Sequence, residues 1–168
     1  MPFVVRRVRP DEWRELKALR LRALADAPDA FGATLAEAEA EPDEAWQERA
    51  DDVERFTVVG EMAGRLVGMA AGGMAPMDPS AAALYSMWVE PEARGSGIAA
   101  AIVAAIIDWA REAGYRGLGL GVTTTNARAI AFYERMGFVD NGMRFPLRHG
   151  SGLEIQVMIR TLGEGTSG

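Results

Sequence analysis

One stretch of the sequence, Arg94-Gly95-Ser96-Gly97-Ile98-Ala99, has the residue types and spacing of an anion-binding turn. Residues 82–89 precede it as a strand-like run, and residues 98–113 follow it as an apolar helical run. The N–H groups of a first helical turn lack partners within the helix, and the helix dipole puts partial positive charge behind them. Glycine at 95 and 97 permits positive φ and carries no Cβ that would keep a diphosphate from the backbone. The stretch therefore predicts a phosphate site, with Arg94 as a fixed charge.

Two other interpretations of this turn stay open on the local pattern. A plain helix start also uses glycine for its turn geometry. In addition, Gly95-x-Gly97-x-x-Ala100 formally matches the fingerprint of doubly wound dinucleotide-binding folds. That match lies in the middle of the chain, and residues 120–125 offer no Asp or Glu to bind a ribose. We therefore expect no binding of a nicotinamide dinucleotide.

A second stretch, residues 126–138, predicts a helix that carries a phenol. Asn126 is a favourable N-cap residue, and Gly137 has the position of a C-cap. Tyr133 lies seven residues after Asn126, two helical turns along the same face. Because it shares that face with apolar side chains, an ordinary core tyrosine is one interpretation. A general acid is the other, since a phenol of pKa ~10 is protonated at neutral pH.

The elements that must position these stretches follow from the apolar periods and the turn residues. Strands are predicted at residues 3–9, 56–61, 66–71, 82–89, 118–122, 138–146 and 153–159, and helices at 11–28, 42–49, 98–113 and 126–136. An acidic loop is expected between the first two helices, and residues 72–80 are expected to form a flexible connection. This order predicts an α/β or α+β sandwich around a mixed sheet with one parallel crossover, from residues 84–89 to 118–122.

Composition limits the classes of function. The 168 residues fit one domain, predicted over 1–162 with a flexible tail at 163–168. The absence of cysteine and the single histidine argue against thiolate chemistry, a catalytic triad and a metal site. A formal charge of −6 argues against nucleic-acid binding and mildly favours cationic partners such as amines. Lys17 is the only lysine, and we attribute the excess of arginine to codon bias.

The sequence also carries no pattern that marks it for a membrane or for export. Its N-terminal residues lack the apolar core of a signal peptide. Its longest apolar run, residues 98–107, is far shorter than the ~20 residues that span a bilayer. We expect a cytoplasmic protein with no membrane partner.

Two runs resemble the motifs of the GCN5-related N-acetyltransferase (GNAT) family. Residues 87–99 resemble its acetyl-CoA motif, R/Q-x-x-G-x-G/A, in which Arg94, Gly97 and Ala99 fill the fixed places. Residues 126–138 are similar to its second motif, N-x-x-A-x-x-x-Y-x-x-x-G-F. The resemblance implies a mostly antiparallel twisted sheet of six to seven strands, flanked by about four helices, with one splayed parallel pair. It covers residues 3–160.

The resemblance also implies roles for individual residues. The CoA diphosphate would lie on the amides of residues 94–99, and the pantetheine arm would pair with the strand at residues 87–89. Asn126 would touch that arm, Arg135 would reach the nucleotide phosphates, and Tyr133 would be the general acid that protonates the departing thiolate. The implied CoA-binding residues are Met87, Trp88, Val89, Arg94, Gly95, Ser96, Gly97, Ile98, Ala99, Asn126 and Arg135.

The acceptor side departs from the family pattern, because residues 84–89 contain no carboxylate to activate an amine. Glu37, Glu39 and Glu41 in the expected acidic loop are candidates for substrate contact or proton relay, although charged loops are commonly only solvated. A small-molecule or peptide amine is the implied acceptor, and a homodimer is left open because dimers are common in the family. Two functions remain: an acetyl-CoA-dependent N-acetyltransferase, and a non-catalytic acyl-CoA-binding or sensing module.

Overall fold

The computed structural model describes residues 2–163, and within them it has seven strands in one sheet. The order across the sheet is β1-β2-β3-β4-β5-β7-β6, and every neighbouring pair is antiparallel except β4 and β5. The expected mixed sheet of six to seven strands with one parallel pair is thereby confirmed. The strands are β1 (Val4–Arg7), β2 (Phe56–Met62), β3 (Arg65–Ala75), β4 (Asp78–Val89), β5 (Gly117–Thr123), β6 (Val139–Pro146) and β7 (Glu154–Thr161).

Five α-helices cover the two faces of this sheet within the described part of the chain. They are α1 (Trp13–Asp26), α2 (Leu35–Ala40), α3 (Asp43–Asp51), α4 (Ile98–Glu112) and α5 (Ala127–Arg135). The first three helices pack on one face, and α4 and α5 pack on the other. No helix in residues 2–163 is long and apolar enough to cross a membrane.

Alternation along the strands supplies each face with its own core. In β2, Val58 joins the core under α4 whereas its neighbour Val59 joins the core under α1 and α3, as the two-residue period of a strand requires. Glycine lets α4 come close to the sheet: a Cβ at Gly72 would lie 2.7 Å from the Trp109 ring. The sheet therefore separates two apolar layers. One layer lies on the side of α4 and α5, and the other lies on the side of α1.

Two expectations for connecting segments were wrong. The expected acidic loop contains α2, which begins at Thr34, whose side chain accepts a hydrogen bond from the Glu37 amide. This helix is too short for an apolar period to show in the sequence. The expected flexible connection at residues 72–80 is mostly strand, because β3 and β4 extend into it and pair through Gly73–Ala83 and Met74–Ala82. Cross-strand pairing there overrides a glycine-rich local sequence.

The remaining helices and strands lie close to their expected bounds, and five helices replace the expected four. Of the predicted C-terminal tail, residues 163–168, all but residue 163 lie outside the described residues.

Candidate active site

The single parallel pair of the sheet opens along its length. β4 and β5 pair only where residues 81–83 meet residues 117–119. Beyond Ala83, β4 continues to pair with β3 as far as Val89, and beyond Gly119, β5 continues to pair with β7. The facing edges of β4 and β5 therefore have no strand partner within the described residues. Such edges present free backbone groups to which an extended ligand can hydrogen-bond.

The turn at the end of β4 has the geometry that its glycines predict. Gly95 and Gly97 have φ values of 84° and 92°, and Gly97 is the N-cap of α4. The Ser96 hydroxyl accepts a hydrogen bond from the Ile98 amide and donates one to the Ala93 carbonyl. Within residues 2–163, no acceptor binds the amides of Gly95, Gly97, Ala99 and Ala100. The turn therefore holds several free N–H groups at the start of a 15-residue helix.

Arg94 is tied to the protein by two contacts that the sequence did not reveal. Its Nε donates to the Val89 carbonyl at 3.0 Å, and its Nη2 lies 3.1 Å from Asp26 Oδ2. The Trp88 indole donates to the same Asp26 oxygen at 3.0 Å. Asp26, the last residue of α1, thus fixes both β4 and the turn, and it offsets part of the Arg94 charge.

The helix of the second motif also begins as expected. Asn126 Oδ1 accepts a hydrogen bond from the Ala129 amide at 3.1 Å, which makes Asn126 the N-cap of α5. Arg135 is exposed in the last turn of that helix and has no ion pair with residues 2–163.

Tyr133 is 8% exposed and lies in the core under α4 and α5. Its ring packs against Phe132 and, edge-on, against Phe138, with centroids 5.3 and 5.8 Å away. Leu120 and Val122, from the part of β5 that does not pair with β4, belong to the same core cluster. Burial raises the pKa of the Tyr133 hydroxyl far above its ordinary value, and the group makes no hydrogen bond to residues 2–163. The phenol is therefore protonated throughout the neutral range and has a proton to donate.

The three candidate carboxylates of the acceptor side have separate surroundings. Glu37 accepts a hydrogen bond from the Thr34 hydroxyl at 2.9 Å, Glu39 is exposed on α2, and Glu41 is hydrogen-bonded to Arg49 at 2.8 Å. Among residues 2–163, no three His, Cys, Asp or Glu side chains are grouped so that they could hold a metal ion.

On the α1 face of the sheet lies a cavity of about 120 Å³. Sequence reasoning missed it, because its side chains come from α1, α3, the segment before β2, and strands β2 to β4. No spacing in the sequence links these positions. The lining residues are Leu16, Arg20, Trp46, Arg49, Arg55, Thr57, Met69, Ala70, Ala71 and Ser86.

The fold and the site together define a class of protein in which one opened parallel strand pair leads to a glycine turn with free amides. Comparison with known proteins identifies the family. Residues 17–138 match the family model described as Acetyltransferase (GNAT) family, and the chain belongs to that family.

Individual relatives agree with this assignment. The chain is 35% identical over 133 residues to a protein named mycothiol acetyltransferase from Salinispora arenicola; the match covers 76% of this chain and 40% of that protein. An acetyltransferase of the GNAT family from Streptococcus pneumoniae superposes with a TM-score of 0.82 at 18% identity, covering 96% of this chain and 100% of its own. A putative acetyltransferase from Salmonella typhimurium, solved with its cofactor acetyl-CoA, superposes with a TM-score of 0.79 at 19% identity. The match covers 100% of this chain and 98% of that protein's chain. These structures share the fold.

Proposed function

We propose that the chain transfers an acetyl group from acetyl-CoA directly to a primary amine, with Tyr133 as the general acid. The observation that carries this proposal is the opening between β4 and β5, which leads onto the free amides of the glycine turn. Membership of the acetyltransferase family supports the same reaction.

The residues around the opening fit acetyl-CoA. The unpaired edge of β4 at residues 87–89 suits the amide groups of a pantetheine arm, and the free amides from Gly95 to Ala100 suit a diphosphate. A Cβ built at Gly95 would meet no atom within 4 Å, so there is open space beside the turn. The exposed Arg135 is available to the nucleotide phosphates. When bound, acetyl-CoA supplies the thioester carbonyl and a thiolate leaving group.

The chain's own residues then have distinct tasks. The turn and the β4 edge bind and orient the donor, and the core side chains around Tyr133 hold its ring in place. In the transfer, the amine nitrogen forms a bond to the acetyl carbon as the carbon–sulfur bond breaks. The amine loses one proton, and Tyr133 gives its proton to the sulfur and regains one from solvent. The products are an amide and a free thiol.

Residues 84–89 of β4 contain no carboxylate that could serve as a general base, and the one that follows them is already engaged. Glu90, directly after β4, forms an ion pair with Arg65 and lies 3.5 Å from Arg22. We infer that the acceptor amine loses its proton to water. An α-amine, with a pKa of ~8, then reacts more readily at neutral pH than a lysine-type amine at ~10.4.

Calorimetry with acetyl-CoA, followed by a screen of primary amines for thiol release, tests the proposed function. We expect saturable binding, and release that depends on both the amine and the protein. Binding without release on any amine would favour the non-catalytic sensing module instead. Absence of binding would exclude both functions.

A further inference from the structure

The cavity on the α1 face has room for a small molecule. Its volume of about 120 Å³ is several times the ~10–15 Å³ that one water needs on the same measure. Its walls are α1 and α3, and its floor is formed by β2, β3 and Ser86 of β4. It lies on the face opposite α4, and so on the other side of the sheet from the helix that follows the glycine turn.

Three guanidinium groups line this cavity, and each stands over an aromatic ring. Arg20 lies 4.7 Å from the centroid of Phe31, Arg49 lies 4.5 Å from that of Trp46, and Arg55 lies 5.3 Å from that of Tyr85. Stacking of this kind orients a guanidinium without neutralising its charge. The three positive charges are therefore held in place around the cavity before any ligand enters.

Two of the three guanidinium groups have no ion-pair partner within residues 2–163. Arg49 is paired with Glu41, but neither Arg20 nor Arg55 makes a side-chain hydrogen bond or ion pair within residues 2–163. Arg20 Nη1, Arg55 Nε and the Trp46 indole nitrogen are buried there without an acceptor. Burial, together with the nearby Arg49 and Arg55, lowers the pKa of Arg20 to about 10, although the more weakly acting Glu41 opposes this shift. Buried donors are nearly always paired in native proteins, so these unpaired groups require an explanation.

The high arginine content of the chain does not explain why these buried donors are unpaired. The chain has 24 acidic residues against 18 basic ones, and each arginine outside the cavity either contacts a carboxylate or carbonyl oxygen or is exposed to solvent. Arg6 is bound by both Glu12 and Glu61, and Arg65 is bound by Glu90. An acidic protein that leaves two cavity guanidiniums unpaired has a site suited to an anion from outside.

The cavity also reaches the strand beside the proposed donor site. Ser86 lines it and directly precedes Met87, the first residue of the β4 edge that we assign to the pantetheine arm. Ser86 has a φ of 59°, at a point where the pairing between β3 and β4 shifts. Such a bulge redirects a strand locally. A molecule anchored on the arginines would thus have its other end near the opening between β4 and β5.

Resting on the proposed function, we propose that this cavity is the acceptor pocket and that it selects amines that also carry an oxyanion, of the amino-acid or aminophosphonate class. The arginines bind the carboxylate or phosphonate, and the amine faces the donor. The pocket is thus opposite in charge to the protein as a whole.

Pairs of acceptor amines, one with an oxyanion and one without, test whether the cavity selects anionic amines. Each of several amino acids is compared with its own carboxamide, and each aminoalkylphosphonate with the matching amino alcohol, in the thiol-release assay. We expect kcat/KM to be at least about tenfold higher for the anionic member, a difference of ~1.4 kcal/mol. The anionic series that gives the larger ratio identifies carboxylate or phosphonate as the ligand. Transfer to both members at equal rates would overturn the inference and leave the proposed function intact.

Arginine variants supply the matched controls. Arg20→Met and Arg55→Met keep the length of the side chain and remove its charge, so each should reduce the acid-to-amide ratio at least about fivefold, by ~1 kcal/mol. Arg14→Met is the control, because Arg14 is also on α1 and also stacks on a ring, that of Trp13, yet lies outside the cavity. An unchanged ratio in both cavity variants would overturn the inference.

A binding measurement without any acetyl transfer separates this inference from the proposed function. Methylphosphonate and acetate, added at constant ionic strength, should raise the melting temperature of the parent and of Arg14→Met by about 3 °C, but not that of Arg20→Met or Arg55→Met. Without anion, Arg20→Met should melt above the parent, since it removes an uncompensated buried charge. Equal anion responses in all four proteins would refute the pocket even if acetyl transfer is observed.

Discussion

The two sides of the proposed active site obtain positive charge by different means. On the donor side, the groups that we assign to the ligand are backbone amides at the start of α4, and the arginine in the turn, Arg94, is partly neutralised by Asp26. On the acceptor side, the charge belongs to side chains, Arg20 and Arg55, that form no ion pair within residues 2–163 and each bury an unpaired nitrogen. One side binds through the path of the backbone, and the other through guanidiniums gathered from separate elements.

This difference indicates which of the two sites can change its ligand specificity by mutation. Most substitutions leave the backbone N–H in place, and only proline removes it, so the donor site is tied to the path of the turn and its glycines. Side chains around the cavity can be exchanged without disturbing the opening between β4 and β5. We therefore expect the donor to be common to proteins with this turn and the acceptor to vary with the arginines.

The largest effect that sharpens this comparison is expected at Tyr133, which we propose as the general acid for the leaving thiolate. Tyr133→Phe keeps the ring and its packing but removes the proton, so kcat should fall by about 10²-fold or more, while the affinity for acetyl-CoA hardly changes. Steady-state kinetics with any accepted amine and calorimetry measure the two quantities. Tyr115→Phe is the matched control, since that tyrosine packs on Trp109 at the far end of α4. Parent-like turnover of Tyr133→Phe would leave Tyr133 with a packing role only.

A smaller effect should separate the donor site from the acceptor pocket. Ala99 is in the first turn of α4, where a glutamate favours the helix but repels a diphosphate. Ala99→Glu should raise the Kd for acetyl-CoA about tenfold over that of Ala99→Gln, which has the same size and no charge. Both variants should keep the response to methylphosphonate at the cavity. Equal acetyl-CoA affinities in the two variants would place the diphosphate away from this turn.

The smallest expected effect compares Arg6, which forms ion pairs with Glu12 and Glu61, with Arg20 and Arg55, which form no ion pair within residues 2–163. Hydrogen bonds from Arg6 hold the pKa of Glu12 at about 2, below its ordinary 4.5. The stability that Glu12 contributes is present above pH 4.5 and is lost as the pH falls from 4.5 towards 2. Glu12→Gln should therefore lower the melting temperature by about 3–6 °C at neutral pH, and by progressively less on acidification.

Thermal unfolding across this pH range provides the measurement, with Glu15→Gln, at an exposed position nearby on α1, as the control. Removing charge beside Arg6 should thus destabilise the fold, whereas removing the charge of Arg20 should stabilise it. A pH-independent loss in Glu12→Gln would show that the Arg6 ion pair does not carry the effect.

Much of the donor side was predictable because its elements are contiguous in the sequence. The strand, the turn at residues 94–99 and α4 follow one another, so glycine spacing and apolar period together indicate the free amides at the start of α4. Asn126 and Gly137 mark the two ends of α5 for the same reason. The sequence did not reveal Asp26, which joins Arg94 and Trp88 from a distance of more than sixty residues along the chain.

The sequence by itself determined the motifs, most of the strands and helices, and the face on which Tyr133 lies, because each of these depends on neighbours within one or two turns or strands. Only the tertiary structure decided that residues 72–80 join a hairpin, since strand pairing supplied what local propensity did not. Only the tertiary structure, likewise, gathered Arg20, Arg49 and Arg55 around one cavity. Their charge matters through burial and the absence of partners, and both arise only when α1, α3 and the sheet pack together.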